Sequence, residues 1–594
     1  MRRRPRGRRR VIENLRFACD QATEGASVSM DTIEKPQTSR RRPRQTPKGR
    51  QVDPRAASDI ADLLGARPRR RDHLIEFLHL IQDRWGYISA PHLAALAAEM
   101  KLAQAEVYEV ATFYAHFDVV RDGPPPPKVT VRVCDSLSCA MAGAERLISE
   151  LPARLGTEVR VLRAPCMGAC DRAPVAAVGH VQVHHCTADS VAAAAAEGRH
   201  PHAFAGGKDF DAYVAEGGYR LLRDCLDGRR SRDDLIAAVS DAGLRGLGGA
   251  GFPTGRKWSL VRSEPAPRLM AVNGDEGEPG TFKDRWYLER DPHRFIEGML
   301  IAAWVVEAAE AYFYLRDEYP EIRLRVEQEL ARVAAAGLTS FTRVEMRRGA
   351  GAYICGEESA MIESIEGKRG LPRHRPPYVA QVGLFGRPTL EQNVETLYWV
   401  RDIVENGAAW YTSHGRRDRK GVRSFSVSGR VRDPGVKVAP AGITVRELID
   451  EYCGGMLDGH SFKGYLPGGA SGGILPAGMG DLPLDFGTLE QYGCFVGSHA
   501  VVILSDHDDI KAVALNLMRF FEDESCGQCT PCRAGTEKAA KLMASGPWDE
   551  ALLTELGDAM RDASICGLGQ AAANPLVCVF KYFPEELKKP LAGW

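Results

Sequence analysis

The sequence predicts a multidomain protein that combines α/β and α+β parts, and three observations carry that prediction. The chain has 594 residues, enough for about three to six domains of ordinary size. Its apolar periodicity switches several times between the 3.6-residue repeat of helices and the 2-residue repeat of strands. Its cysteines gather in two clusters separated by several hundred residues of glycine-punctuated sequence. Apolar residues make up 44% and charged residues 26% of the chain, which fits a folded, water-exposed protein. The longest apolar runs, such as 299–306, fall well short of the ~18 residues that suggest a membrane span.

The chain carries 78 Lys and Arg against 78 Asp and Glu, a net charge of zero. Residues 1–50 hold 15 basic and 5 acidic residues, so the remainder carries 63 against 73 and is mildly acidic. A body of that sign argues against nucleic-acid binding. Residues 1–54 are arginine-rich and punctuated by proline, and they are expected to be a disordered basic tail without a site. Of the 15 cysteines, eight are clustered: Cys134, Cys139, Cys166 and Cys170, then Cys526, Cys529, Cys532 and Cys566. The other seven are scattered and no apolar leader precedes them, so a reduced, cytoplasmic, metal-loaded protein is expected.

Residues 55–125 follow a helical repeat. Leu74, Leu78, Ile81 and Trp85 form one apolar stripe, Ser89 and Pro91 start an Ala/Leu-rich helix, and a further helix begins near Gln104. A small helical bundle is expected. After a run of prolines the pattern changes, and Val129, Val131 and Val133 alternate with polar residues as a strand running into Cys134. Residues 126–200 hold the first cysteine set, Cys-x4-Cys at Cys134 and Cys139 and Cys-x3-Cys at Cys166 and Cys170. Four thiolates on two loops after strands can hold a [2Fe-2S] cluster, two ligands for each iron. They could also close a zinc site, although zinc knuckles favour Cys-x2-Cys.

Residues 201–240 read as a connector. From Gly243 the chain runs Gly-Leu-Arg-Gly-Leu-Gly-Gly-Ala-Gly-Phe-Pro-Thr-Gly-Arg-Lys-Trp, with six glycines in 16 residues. Backbone amides freed of Cβ atoms can approach a phosphate, above all ahead of a helix. No clean strand precedes this loop, and it lacks the Gly-Lys-Ser/Thr of a Walker loop. Residues 424–429 and 501–505 then read as strands around a helix at 444–453, within a β module at 423–508 that carries the loop Leu-Pro-Gly-Gly-Ala-Ser-Gly-Gly from Leu466. Finally Cys526, Cys529 and Cys532 form Cys-x2-Cys-x2-Cys, and Cys566 follows. With 33 residues between Cys532 and Cys566, that is the ligand arithmetic of a [4Fe-4S] cluster, held here between helical segments of the 509–594 region.

Residues 55–200, a helical bundle followed by Cys-x4-Cys and Cys-x3-Cys, resemble the thioredoxin-like iron–sulfur subunit of respiratory complex I. Three further motifs carry a second resemblance: Asn-Gly-Asp-Glu-Gly-Glu-Pro-Gly-Thr-Phe-Lys-Asp-Arg from Asn273, Gly-Ala-Gly-Ala-Tyr-Ile-Cys-Gly-Glu-Glu-Ser from Gly349, and Gly-Lys-Arg-Gly-Leu-Pro-Arg-His-Arg-Pro-Pro-Tyr from Gly367. With the glycine loop they resemble the NADH-binding flavoprotein subunit of complex I and the diaphorase subunits of NAD-linked formate dehydrogenases and hydrogenases. The resemblance implies FMN and NAD(H) in a Rossmann-like domain at 241–422, and a ubiquitin-like, ligand-grip module at 423–508. Gly246, Gly248, Gly249 and Lys257 then hold the flavin phosphate and ribityl chain, and Asn273, Asp275, Glu276 and Asn393 meet flavin polar groups. Phe252 lies against a nicotinamide or adenine ring. Glu278, Gly356, Glu357, Glu358, Arg375 and Tyr378 meet the nucleotide. No residue is assigned an acid–base role, because the cofactors themselves carry hydride transfer. Arg375 and Tyr378 stand where the family commonly shows Lys and Phe, and Gln392 where it commonly shows Asn. The fused order most resembles the beta subunit of cytosolic molybdenum- or tungsten-dependent formate dehydrogenases, which implies an alpha subunit bearing the Mo/W centre. A complex I arm, a hydrogenase diaphorase and a non-catalytic cluster scaffold are the alternatives.

Overall fold

In a computed structural model, residues 51–198 and 200–591 are described; the expected tail lies almost wholly outside them. The first helices form where the sequence places them. Asp53 caps Pro54–Leu64 by accepting from the Ala56 amide, and Ser89 caps Ala90–Glu99 by accepting from that of His92. Helix Leu74–Trp85 ends at Gly86, whose φ of 77° closes its last turn. Leu74, Leu78 and Ile81 are fully buried, as the stripe requires.

Strand Val129–Cys134 pairs in parallel with Val159–Ala164 and antiparallel with Ala176–Val178, which pairs with Val181–Val183. This four-stranded sheet has a small core of its own, including Val131, Leu147, Leu151 and Val191. Cys134 lies in register with Ala164. Both cysteine loops therefore leave the same end of a parallel pair, and that brings them together.

The connector expected at 201–240 is instead part of the next domain. It supplies three helices, Phe210–Ala215, Arg220–Leu226 and Arg232–Asp241, and Tyr213, Tyr219, Leu222 and Val239 share a core with Met270, Phe295 and Phe313. That domain is built on a wholly parallel sheet in the order Thr389–Asn393, Arg268–Gly274, Ala308–Leu315, Arg343–Arg348. Helix Pro292–Val306 is buried on all sides, and its Glu297 accepts from the Tyr213 hydroxyl at 2.6 Å and the Tyr219 amide at 2.9 Å. A buried carboxylate survives only with such partners.

A five-stranded sheet follows in the order Gly435–Pro440, Val422–Gly429, Ala500–Ser505, Phe462–Leu466, Leu475–Pro476, with its first and last long strands parallel at the centre. Helices Ile510–Glu524, Thr530–Ala544, Glu550–Ala563 and Asn574–Tyr582 complete the chain. One apolar core runs from Leu78 and Ile81 of the bundle through Tyr314 and Ile354 to Val502 and Met518. Among the described residues no helix is long and apolar enough to cross a membrane.

Candidate functional site

In a parallel open sheet, ligands sit outside the carboxyl ends of the strands, where the strand order reverses. Here the chain moves outward from Arg268–Gly274 through two strands and then returns to the other side with Thr389–Asn393. The switch point lies between those two strands, at the paired residues Asn273 and Asn393. The sequence-predicted residues converge there. The glycine loop sits between helices Arg232–Asp241 and Thr254–Ser263 and closes on itself, Gly246 N donating to Phe252 O at 2.8 Å and Gly251 N to Gly246 O at 3.1 Å. It is tied to the Asn393 turn by Leu247 N donating to Thr396 Oγ1 at 2.8 Å. A Cβ on Gly248 would lie 3.0 Å from that of Asn393, and Gly249 has φ +130°, so both positions favour glycine.

A charged network lines the same end. Lys257 Nζ donates to Glu391 at 2.9 Å and lies 3.7 Å from Glu358. Burial alone would lower its ammonium, but Glu391 and Glu358 more than offset this and hold it above its usual value. Asn273 donates to Gly356 O at 2.9 Å and to Glu391 at 3.2 Å. Glu357 caps helix Glu358–Ile365, accepting from the Ser359 and Ala360 amides, while Arg375 bonds Glu357 and lies 2.9 Å from Glu358. One guanidinium nitrogen of Arg375, Nη2, thus holds both acids. Phe252 and Tyr378 are 39% and 56% exposed, leaving two rings free for a planar ligand. A loop of bare amides, a lysine and two asparagines fit a phosphate and a polyol chain, so FMN suits the donor set.

Three acids of the Asn273 motif are placed differently. Asp275 is buried beside Gly277 and Gly356, and burial raises its carboxyl well above the usual range. Glu276 turns into the protein: its carboxylate accepts from the Asp284 and Arg285 amides at 2.6 and 3.1 Å and from the Tyr319 hydroxyl at 2.8 Å. Glu278 accepts from the Ser471 amide and hydroxyl at 2.8 and 2.7 Å and from the Tyr353 hydroxyl. The loop from Leu466 is thus a clamp on Glu278.

The cluster cysteines lie as follows. Cys134, Cys139, Cys166 and Cys170 are all buried thiols, with Cys166 and Cys170 sulfurs 3.3 Å apart. Cys529 and Cys566 occupy the residues just before helices Thr530–Ala544 and Gly567–Ala571, and Cys532 is buried beside Gly569. The scattered Cys355 is fully buried, and burial pushes its thiol up, as befits packing.

The first cysteine set and the Asn273 motif share one crevice. A crevice is lined by Cys166, Asp275, Gly277, Tyr353 and Glu524. Arg316 spans it, donating to Cys166 O and Glu276 O, each at 2.6 Å. Sequence reasoning missed Arg316, Tyr353, Glu391 and the buried Lys283, which pairs with Asp284 at 2.9 Å and Glu395 at 3.0 Å. Lys283 and Tyr353 gave a signal, since each stands inside a quoted motif, the one from Asn273 and the one from Gly349.

Three family models match. The Nuo51 FMN-binding domain covers residues 239–402, the thioredoxin-like [2Fe-2S] ferredoxin residues 60–198, and the NADH-ubiquinone oxidoreductase-F iron–sulfur binding region residues 512–590. The chain is 42% identical to an NADH-quinone oxidoreductase F subunit of Rhizobium meliloti over 389 residues, 63% of this chain and 92% of that protein. The mitochondrial NADH dehydrogenase [ubiquinone] flavoprotein 1 of Dictyostelium discoideum is 39% identical, over 63% of this chain and 82% of its own length. A solved NAD+-reducing [NiFe]-hydrogenase in the H2-reduced state aligns with a TM-score of 0.77 at 32% identity, over 89% of this chain and 95% of that one. The chain therefore belongs to the family of NADH-quinone oxidoreductase F subunits, NAD-dependent oxidoreductase components with FMN and iron–sulfur centres, and joins to it a thioredoxin-like [2Fe-2S] domain.

Proposed function

We propose that this chain is the diaphorase subunit of a larger NAD-linked enzyme, and that its partner oxidises a small substrate. The observation that carries this reading is one crevice shared by Cys166 of the first cysteine set and Asp275 of the Asn273 motif, with Glu524, two residues before Cys526, on its wall. FMN exchanges a hydride with NAD(H) and electrons singly with iron–sulfur centres, so it joins a two-electron carrier to a one-electron wire. The residues do the holding. Gly246, Gly248 and Gly249 offer amides to the flavin phosphate and Lys257 supplies its counter-charge, while Asn273 and Asn393 fix the polar edge. Phe252 and Tyr378 flank the nucleotide, whose hydroxyl and amide groups meet Glu357, Glu358 and Gly356. Arg375 orients those two acids, and Asp275 faces the cluster side. Glu276 and Glu278 act through the backbone they hold, Glu276 by capping Lys283–Arg290 and Glu278 by fixing Tyr353. Cys134, Cys139, Cys166 and Cys170 ligate the [2Fe-2S] cluster, and Cys526, Cys529, Cys532 and Cys566 the [4Fe-4S] cluster. The five-stranded sheet serves as the ubiquitin-like grip between flavin and C-terminal cluster domains.

For the partner, we favour a molybdenum- or tungsten-bearing formate dehydrogenase alpha subunit in the cytoplasm, on the resemblance of the fused motif order. A second reading, a hydrogenase partner, draws support from the solved NAD+-reducing [NiFe]-hydrogenase, whose chain is spanned over 95% of its length. Metal analysis of the native complex separates them. Molybdenum or tungsten with formate-dependent NAD+ reduction supports the first; nickel with hydrogen-dependent reduction overturns it in favour of the second.

A further inference from the structure

Where the helical bundle, the [2Fe-2S] domain and the FMN domain meet, imidazoles and carboxylates collect without any role in the chemistry above. His79 and Asp83 come from helix Leu74–Trp85, His116 from the segment after the last bundle helix, and His180 from the turn between strands Ala176–Val178 and Val181–Val183. Asp317 and Arg348 come from the FMN domain. His79, His116 and Asp317 each offer a ligand atom within 4.8 Å of the others, and so do Asp83, His116 and His180. His116 is common to both groups. The ring centres of His79 and His116 are 4.8 Å apart, and those of His116 and His180 5.6 Å.

The hydrogen bonds set the tautomers. His79 Nε2 lies 2.9 Å from the Gly349 carbonyl, which can only accept, so the proton sits on Nε2 and the lone pair on Nδ1. His116 Nδ1 lies 2.6 Å from Asp317, whose other oxygen is held by Arg348, so its lone pair is left on Nε2. Those two atoms, His79 Nδ1 and His116 Nε2, are buried and have no hydrogen-bond partner. His79 is 2% exposed and the His116 side chain 8%. A carboxylate or carbonyl behind a histidine, with the other ring nitrogen bare, is the outer-shell arrangement of metal-bound imidazole. His180 and Asp83 lie 3.4 Å apart and are 33% and 39% exposed in their side chains, so the cluster opens to solvent on one side. A metal has a way in.

We infer that His116, His180 and Asp83, with the bare His79 ring beside them, form a binding site for a divalent transition metal of the zinc class, one that fastens the bundle to the [2Fe-2S] domain. Imidazole with carboxylate is a zinc donor set, and a d10 ion tolerates ligands drawn from three elements. Asp317 and Gly349 act as the orienting partners of the two inner rings. The histidine group at His460 and His507 is the natural control. It is more exposed, and its Asp506 carboxylate is also engaged by the Ser461 amide.

The test uses the full chain with its flavin and clusters loaded, equilibrated with zinc and then desalted. Elemental analysis should find one zinc per chain beyond cluster iron, and zinc-edge X-ray absorption, which does not see iron, should show scattering from two or three imidazoles at about 2.0–2.1 Å. His180→Gln should weaken zinc binding tenfold or more with iron and flavin contents unchanged, whereas His460→Gln should not. Failure of the unmodified chain to retain zinc, or a zinc spectrum dominated by sulfur, overturns the site. So does equal affinity in the parent and in His180→Gln.

Discussion

Glu276 holds its backbone at a φ of 33°, a strained value for a residue with a Cβ, and turns its carboxylate onto the first amides of helix Lys283–Arg290. Burial, reinforced by the Asp284 carboxylate, pushes its acid up to about 7 from 4.5. The folded protein therefore binds this proton more tightly than the unfolded chain does. Stability from this group is complete below about pH 4.5 and is lost as pH rises through about 7, by up to about 3 kcal/mol. Glu276→Gln removes that slope. Plotted against pH, the apparent Tm of the parent should fall relative to the variant between about pH 5 and pH 7.5; parallel curves would remove the assignment. Neither Glu276 nor Glu278 revealed this bracing in the sequence, because the partners Tyr319 and Ser471 lie 43 and 193 residues away. Acid in a motif signals a site, but only the fold tells which acid faces the ligand and which holds the wall.

At the scale of elements, what was legible was local. The two cysteine sets were readable because the short spacings Cys-x4-Cys, Cys-x3-Cys and Cys-x2-Cys-x2-Cys each lie within one loop, and the glycine loop because its lack of Cβ atoms is a property of sequence. The helices of 201–240 were not, since each spans only two or three turns and shows its apolar face to a sheet formed much later in the chain. Two predictions belong here. Gly248→Ala brings a methyl to 3.0 Å from Asn393 Cβ, so loop and asparagine must part. FMN affinity should fall about tenfold, near 1.4 kcal/mol, with iron content unchanged; undiminished flavin retention would place the phosphate elsewhere. Cys529→Ser removes the ligand at the start of Thr530–Ala544. The [4Fe-4S] EPR signal should vanish or convert to a three-iron form, while NADH-dependent reduction of a two-electron dye at the flavin persists. Parental iron content and spectra would refute the ligand set.

Taken whole, the molecule divides labour with a partner. The continuous core from bundle to C-terminal helices leaves the flavin, nucleotide and cluster sites within one body. On the proposed ligand sets the eight clustered cysteines hold iron. Among the described residues the remaining six cysteines are buried, and Cys494 and Cys578, 3.5 Å apart, face each other. Taking hydrogen and two electrons from a C1 acid calls for a metal centre with an open position, and among the described residues no further group of cysteines is left to build one. The zinc-class site inferred above is redox-inert and sits behind the [2Fe-2S] domain. The isolated, cofactor-loaded chain should therefore oxidise NADH with ferricyanide or a viologen dye at full rate and show no formate-dependent NAD+ reduction. Adding the metal-bearing partner should restore formate-dependent reduction, and Cys529→Ser should abolish that restored rate while sparing the dye assay, because only the partner reaction has to cross the C-terminal cluster. Formate-dependent reduction by the pure chain would end the two-subunit reading. Restoration solely by a hydrogenase partner would keep the division of labour and change the substrate.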